Sequence, residues 1–154
     1  MTLSASGNLG IGMTPTAKLQ IAAGSASTGM APVKLTAGTN LSTPENGAIE
    51  YDGTNYFVTS ANTRYTLAKT LTASSTLDFA STAAQSGSNL TVTITGAADG
   101  DAVSLGVPNA AVNDNSSYSA WVSAANTVTI RFNNNSSGTI DPASGTFRVS
   151  IVKY

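Results

Sequence analysis

The chain contains no histidine and no cysteine among its 154 residues. Histidine is the only side chain whose unperturbed pKa lies near neutrality, and it is the commonest general base and metal ligand. Without cysteine there is no thiolate nucleophile, no soft metal site and no disulfide bond. The remaining chemistry consists of eight carboxylates, seven basic groups and many hydroxyls and amides. We therefore predict that the protein is not an enzyme and that it holds no metal and no cofactor.

Charged residues are also scarce, at 10% of the chain, and the formal net charge at pH 7 is -1. The basic residues are scattered along the sequence, which does not form the basic stripe that nucleic-acid binding requires. No apolar run approaches the roughly 20 residues needed to span a bilayer. We expect neither a nucleic-acid partner nor membrane insertion. What dominates instead is Gly, Ala, Ser, Thr and Asn, about three in five residues, far above average usage.

Residues 1–70 contain short apolar alternations separated by Gly, Pro and Thr, without helical periodicity. The clearest signal is a β-hairpin around Asp52-Gly53, since both turn residues tolerate positive φ. The segments predicted as strands in this half are Lys18–Ile21, Val33–Thr36, Ala48–Tyr51, Tyr56–Thr59 and Arg64–Leu67.

These strands are too short and too far apart to enclose a hydrophobic core within one chain, and an isolated hairpin is marginally stable in water. We therefore interpret residues 1–70 as an extended, fibrous segment that needs other chains to cover its faces and edges. Four aromatic residues are the expected anchors between chains: Tyr51, Tyr56, Phe57 and Tyr65.

Residues 71–154 show denser alternation, which predicts an all-β domain with the architecture of an antiparallel β-sandwich, resembling a jelly roll. In three strands the parity fixes which side chains face the core. The predicted strands are Leu77–Phe79, Leu90–Thr95, Ala102–Leu105, Ser119–Val122, Thr127–Phe132 and Thr146–Tyr154. The predicted core residues are Leu90, Val92, Ile94, Val128, Ile130, Phe132, Phe147, Val149 and Ile151.

Two features of this domain are candidate ligand-facing sites. Trp121 is the only tryptophan and would offer a flat platform to a sugar ring, but strand parity places the nearby Tyr118 on the opposite face. A tryptophan in the core or at a subunit interface is therefore the favoured interpretation. The loop at 133–138 is the most obvious exposed recognition loop, with Asn133, Asn134 and Asn135 as amide donors and acceptors.

Other constellations point to chemistry only weakly. Asp99-Gly100-Asp101 places two carboxylates around a glycine, but the remaining ligands of a calcium loop are absent and a plain turn is favoured. Glu50 and Asp52 lie on the same strand parity but without the apolar cleft of a glycosidase. A hydrolase of surface polysaccharide is accordingly a remote alternative.

Several segments resemble elements of tailed-bacteriophage fibre proteins. Gly7–Gly12 (GNLGIG), followed by Pro15 and Ala17–Ile21 (AKLQI), is similar to an element that recurs in these fibres. Thr43–Tyr56 (TPENGAIEYDGTNY) resembles a hairpin of the same proteins. The region from Gly96 to Tyr154 is similar to a C-terminal β-sandwich tip. Together these resemblances cover most of the chain.

The resemblance implies an intertwined homotrimer that lies on the virion surface and is assembled in the host cytoplasm. Residues 1–70 would attach to capsid or tail proteins, and residues 71–154 would form the projecting tip. Because the first element begins almost at Met1, we expect a short head fibre or capsid decoration spike. The alternative is a receptor-binding tail-fibre adhesin that recognises a host surface glycan.

Overall fold

The computed structural model describes residues 1–153 and is all-β, with 46% of the chain in strands. Within residues 1–153 there is no α-helix, and one short 3-10 helix spans Asn109–Ala111. No helix in this described part is long and apolar enough to cross a membrane. The chain divides into two compact units, Met1–Leu67 and a second unit that begins at Ala68.

The first unit contains two three-stranded sheets. In the first sheet the strand pair β1–β2 is antiparallel and the pair β2–β3 is parallel. In the second sheet β5 pairs with β4 and β6, both antiparallel. The strands are β1 Thr2–Leu3, β2 Leu9–Ile11, β3 Leu19–Ile21, β4 Ile49–Tyr51, β5 Tyr56–Ser60 and β6 Thr63–Thr66.

The predicted hairpin is confirmed, together with its third strand, but its turn is longer than a two-residue turn. Residues 52–55 connect β4 and β5, and Gly53 alone among them has positive φ, at 99°. The Asp52 carboxylate accepts hydrogen bonds from the backbone N–H groups of Thr54 and Asn55, both at 2.7 Å. An aspartate at this position thus satisfies the turn with its side chain and does not need the left-handed conformation.

The strand predicted at Val33–Thr36 is wrong, because these residues join no sheet. Val33 is 63% exposed, so its alternation with Leu35 buries little apolar surface. Alternation predicts a strand only where a neighbouring strand accepts its hydrogen bonds.

The second unit contains two antiparallel sheets of three strands, with orders β7-β12-β9 and β10-β11-β8. The strand predicted at Leu77–Phe79 is displaced, since the observed strand lies earlier and ends at Leu77. The last strand ends at Lys153, and Tyr154, which was predicted to extend it, lies outside the described residues. The strands are β7 Lys69–Leu77, β8 Ser86–Thr93, β9 Ala102–Gly106, β10 Ser116–Ala124, β11 Thr127–Asn134 and β12 Gly145–Lys153.

Both sheets of the second unit contribute to one hydrophobic core. The inward parity predicted for three strands is confirmed: eight of those side chains are at most 4% exposed, and Leu90 packs against them half-buried. An aromatic cluster joins the two sheets, with ring centroids of Tyr118 and Phe132 at 5.1 Å and of Tyr118 and Phe147 at 5.3 Å. The opposite face of each of these two sheets points away from the core.

Candidate functional site

The small sheet β4-β5-β6 of the first unit has one face that is apolar and open. Its register aligns Ile49 with Val58 and Val58 with Tyr65, and it places Tyr51 opposite Tyr56. Because opposed residues share a face, these five side chains form one surface, which we call the tyrosine face. The Tyr51 and Tyr56 rings stack with centroids 4.4 Å apart. Ile49 is 65% exposed and Tyr65 is 52% exposed.

Three of the four predicted interchain anchors therefore meet on one surface, and the fourth does not. Phe57 is opposite Glu50 in the register and lies on the other side of the sheet. It is half-buried there. Ile49 and Val58 were not predicted as anchors, although the parity of their strands was sufficient to place them with the tyrosines.

An ion pair occupies the other side of this sheet. Arg64 Nε donates to Glu50 Oε2 at 2.8 Å, and Arg64 Nη2 donates to Glu50 Oε1 at 3.2 Å. The same carboxylate accepts from the backbone N–H of Leu41 at 2.6 Å. The hydrogen bond from Arg64, and then that from Leu41, hold the pKa of Glu50 below its usual value. Glu50 thus ties the loop before β4 to β6, which is a structural role.

The turn Asp99-Gly100-Asp101 is likewise a structural connection. Asp101 Oδ2 accepts from Lys153 Nζ and from the backbone N–H of Ala98, both at 2.8 Å. Lys153 Nζ also donates to the carbonyl of Gly96 at 3.0 Å. The Lys153 ammonium lowers the pKa of Asp101, with a further contribution from Ala98 N–H. Residues 1–153 contain no cluster of three or more potential metal ligands.

We expect the stability of the protein to be constant across neutral pH and to fall in acid. A carboxyl group whose pKa is lower in the folded state stabilises the fold above its unfolded pKa and loses this contribution as the pH falls through the folded value. Glu50 and Asp101 both have lowered pKa values, so the loss should begin below about pH 4. Urea unfolding midpoints measured between pH 2 and 8, at roughly unit steps, test this expectation.

Arg64→Gln is the matched variant for this measurement, since it removes the main cause of the Glu50 shift. The variant should lose less stability than the wild type between neutral pH and acid. An identical acid dependence in the two proteins would contradict the assigned cause.

Trp121 lies on the outer face of the sheet β10-β11-β8. The prediction that Trp121 and Tyr118 face opposite ways is confirmed, because Tyr118 packs in the core while the Trp121 side chain is 41% exposed. Burial raises the pKa of the Tyr118 hydroxyl, which donates to the carbonyl of Ala111 at 3.0 Å. A core position for Trp121 is wrong, because its strand parity points away from the residues that both sheets enclose.

Arg131 lies on the same outer face and is held in a fixed orientation. Its Nε donates to Asn133 Oδ1 at 2.8 Å. Its guanidinium lies against the backbone of Gly87, where an added Cβ would be only 2.8 Å from Nη2. Among the described residues no carboxylate lies within 4 Å of Arg131 and no acceptor bonds to its Nη groups.

The register shows which other side chains share this surface. Trp121 is opposite Thr129 and Thr129 is opposite Thr91, whereas Arg131 lies between Ser119 and Asn89. Asn133, which accepts the hydrogen bond from Arg131, lies between Ser117 and Gly87. We call this surface the Trp121 face, and none of its members carries a carboxylate: Ser117, Ser119, Trp121, Thr129, Arg131, Asn133, Gly87, Asn89 and Thr91.

The exposed loop predicted at 133–138 is partly wrong, because Asn133 and Asn134 belong to strand β11. Asn134 is 1% exposed. Its Nδ2 donates to the carbonyls of Thr82 at 2.9 Å and Gly138 at 2.8 Å, and its Oδ1 accepts from the backbone N–H of Ser136. Asn134 is therefore a buried link between segments and is not available to a ligand. Asn135 is exposed.

A sequence signal for Asn134 and Arg131 was present but incomplete. The core parity of β11 runs through Val128, Ile130 and Phe132 and places Asn134 inward, at a position where an amide needs several partners. The same parity places Arg131 outward. The contact of Arg131 with Gly87 depends on the register with β8, which the sequence does not contain.

Comparison with protein-family models, with curated proteins and with solved structures gave no match. The tyrosine face and the Trp121 face are the open surfaces from which we infer a function.

Proposed function

We propose that the protein is a structural, non-enzymatic virion protein of a tailed phage, a short trimeric fibre or capsid decoration spike on the particle surface. The observation that carries this proposal is the tyrosine face. It is an open apolar surface on a sheet whose strands have only three to five residues. The fibre-like segments at 7–21 and 43–56 support the same reading, since they lie in the same unit.

The tyrosine face suits contact between identical chains. Its five members carry no formal charge at neutral pH, so copies can approach without like-charge repulsion. Full burial of a large apolar side chain contributes about 1.5–3 kcal/mol, and several such side chains lie side by side here. Tyrosine also keeps its hydroxyl at the wet rim of an interface while its ring is buried. We infer that three copies cover this face in the assembled protein.

The two units then have separate roles in the proposal. The first unit associates with its copies and attaches to a capsid or tail protein. The second unit is the projecting tip, for which we propose a β-sandwich of jelly-roll type, since its two antiparallel sheets share one core. Assembly in the host cytoplasm is part of the proposal because the resemblance to phage fibre proteins implies it.

Replacing Tyr56 and Tyr65 together with serine should dissociate the assembly. Both rings are exposed on the tyrosine face, and loss of one buried aromatic at an interface commonly costs about 2 kcal/mol or more. The dissociation constant of the double variant should therefore rise by roughly 100-fold or more. Sedimentation velocity across a concentration series measures this change.

Thr66→Ala is the matched control for the double variant, because Thr66 is exposed and lies opposite Phe57, on the other side of the same sheet. The control should assemble like the wild type. Equal assembly of the double variant and the control would contradict the assignment of the tyrosine face to the interface.

A receptor-binding adhesin is the second candidate function, and one observation favours it. Trp121 lies on the same outer face of the second unit as Arg131, whose guanidinium has no carboxylate partner among residues 1–153. Exposed tryptophan and arginine are the residues most enriched at the energetic centres of binding sites. In this candidate the same trimer attaches to the virion through its first unit and recognises a host surface glycan through its second.

A further inference from the structure

We propose that the Trp121 face is a binding site for a carboxylated glycan, such as a polysaccharide that contains uronic acids. The inference rests on the adhesin candidate and adds to it the location of the site, the chemical class of the ligand and the role of Arg131. Three properties of the face carry it: a guanidinium without a carboxylate partner, an exposed indole, and a border of amides and hydroxyls.

Arg131 supplies the charge that selects the ligand. Its Nε is engaged by Asn133 while its Nη groups have no acceptor among residues 1–153. Guanidinium binds carboxylate through two parallel N–H···O bonds, and these charge-assisted bonds are stronger than neutral ones. Because Asn133 and the backbone at Gly87 already fix the side chain, little rotamer entropy is lost when a carboxylate binds.

The absence of a side chain at Gly87 makes room for the Arg131 guanidinium. A side chain at residue 87 would place its Cβ 2.8 Å from Nη2 and 2.9 Å from Nε of Arg131. Both distances are shorter than a normal van der Waals contact. Glycine at residue 87 therefore leaves the space that the Arg131 guanidinium occupies beside strand β8. A merely solvated arginine needs neither this glycine nor the Asn133 acceptor.

Trp121 supplies the flat apolar surface on which a sugar ring can pack. Its side chain is 41% exposed, a large apolar area for water to cover. Trp121 lies on β10, and the Arg131 guanidinium reaches over β8, on the far side of β11. Neighbouring strands are about 4.8 Å apart, so the face is roughly 10 Å wide. A short oligosaccharide can contact the indole with one ring and the guanidinium with another.

The remaining side chains suit the hydroxyls of a sugar and the charge of its acid group. Asn89, Ser119 and Ser117 are exposed and offer hydrogen-bond donors and acceptors. The absence of Asp and Glu from the face leaves no repulsion against a carboxylate. A nucleic acid is disfavoured as the ligand, since its binding draws on many basic contacts along the phosphate backbone and this face carries one.

Intrinsic fluorescence provides the test, because Trp121 is the only tryptophan of the chain. The full-length protein is titrated with trigalacturonic acid, and in parallel with its methyl ester, which has the same rings without the charges. We expect the acid to cause a saturable change in emission with a dissociation constant below about 10 mM. The ester should bind much more weakly. No response to the acid, or equal affinity for the two sugars, would overturn the proposal.

Two substitutions on the face and one elsewhere sharpen this test. Arg131→Gln should weaken binding by about 10-fold or more, as expected for loss of charge-assisted hydrogen bonds. Trp121→Ala should also abolish measurable binding. Calorimetry measures binding in this variant, because it contains no tryptophan. The substitution should not disturb the core, since the Trp121 side chain is exposed. Arg148→Gln is the matched control, since Arg148 is exposed on the sheet β7-β12-β9. An equal loss in the two arginine variants would reduce the effect to general charge and would overturn the site.

The mass of the assembly, measured on the same samples, separates this inference from the structural proposal. If the protein is a trimer that binds neither sugar, the proposal that the Trp121 face binds a glycan is contradicted, and the fibre proposal is unaffected. A monomer that binds the acid, with loss of binding on Arg131→Gln, contradicts the trimer and supports the site. A trimer that binds both sugars equally keeps the adhesin candidate and overturns the acidic ligand.

Discussion

Replacement of Phe147 with alanine is expected to lower the free energy of unfolding of the second unit by about 3–5 kcal/mol, the usual cost of removing a buried aromatic ring. Phe147 is 0% exposed and lies on β12, the central strand of its sheet. Its ring contacts Phe79 and Tyr118, with centroids 5.6 and 5.3 Å away. Truncation would leave a cavity where the two sheets meet.

Urea unfolding followed by Trp121 fluorescence measures this loss, and Thr146→Ala is its matched control. Thr146 is the preceding residue on β12 and is exposed on the outer face, where its hydroxyl meets only that of Thr76 at 3.3 Å. Its removal should change the free energy of unfolding by less than about 0.5 kcal/mol. Comparable losses in the two variants would contradict a core shared by both sheets.

Asn134→Ala is expected to cost about 3 kcal/mol of stability, although it removes a polar side chain from a protein rich in polar residues. The carbonyls of Thr82 and Gly138 would each lose one donor and would keep a second, the backbone N–H of Ile140 and the Ser136 hydroxyl respectively. The backbone N–H of Ser136 would lose its acceptor. A polar group left without a partner costs about 1–3 kcal/mol, and the space left by the removed amide group, which is 1% exposed with its residue, adds to the loss.

Asn135→Ala is the control for this prediction, because it changes the same residue type one position along the chain. Asn135 is exposed, and the bonds formed at this residue involve its backbone N–H and carbonyl. The control should unfold at nearly the wild-type urea concentration. Similar midpoints for Asn134→Ala and the wild type would contradict the role of Asn134 as a buried link.

Alternation predicted the second unit better than the first, for a physical reason. Val128, Ile130 and Phe132 face a core, so their spacing in the sequence records a real constraint. Val33 and Leu35 alternate in the same way but have no neighbouring strand, and no sheet forms. Where alternating residues face no core, their spacing does not determine a strand.

The candidate surfaces were predicted only as far as parity extends. Parity placed Trp121 and Tyr118 on opposite faces, but the favoured interpretation still included a core position for Trp121 beside a subunit interface, and the core position is wrong. Asn134 was assigned to a loop because asparagine favours turns, whereas its partners at Thr82 and Gly138 come from distant or connecting segments. The support of Arg131 by Gly87 required the register of two strands more than forty positions apart, which no local pattern contains.

The mass of the wild-type protein in solution tests the central claim most directly. Sedimentation equilibrium of the full chain at micromolar concentration is expected to give three times the chain mass of 15.5 kDa, with the tyrosine face covered. A stable monomer at that concentration would contradict the proposal that this protein is a trimeric surface component of a virion.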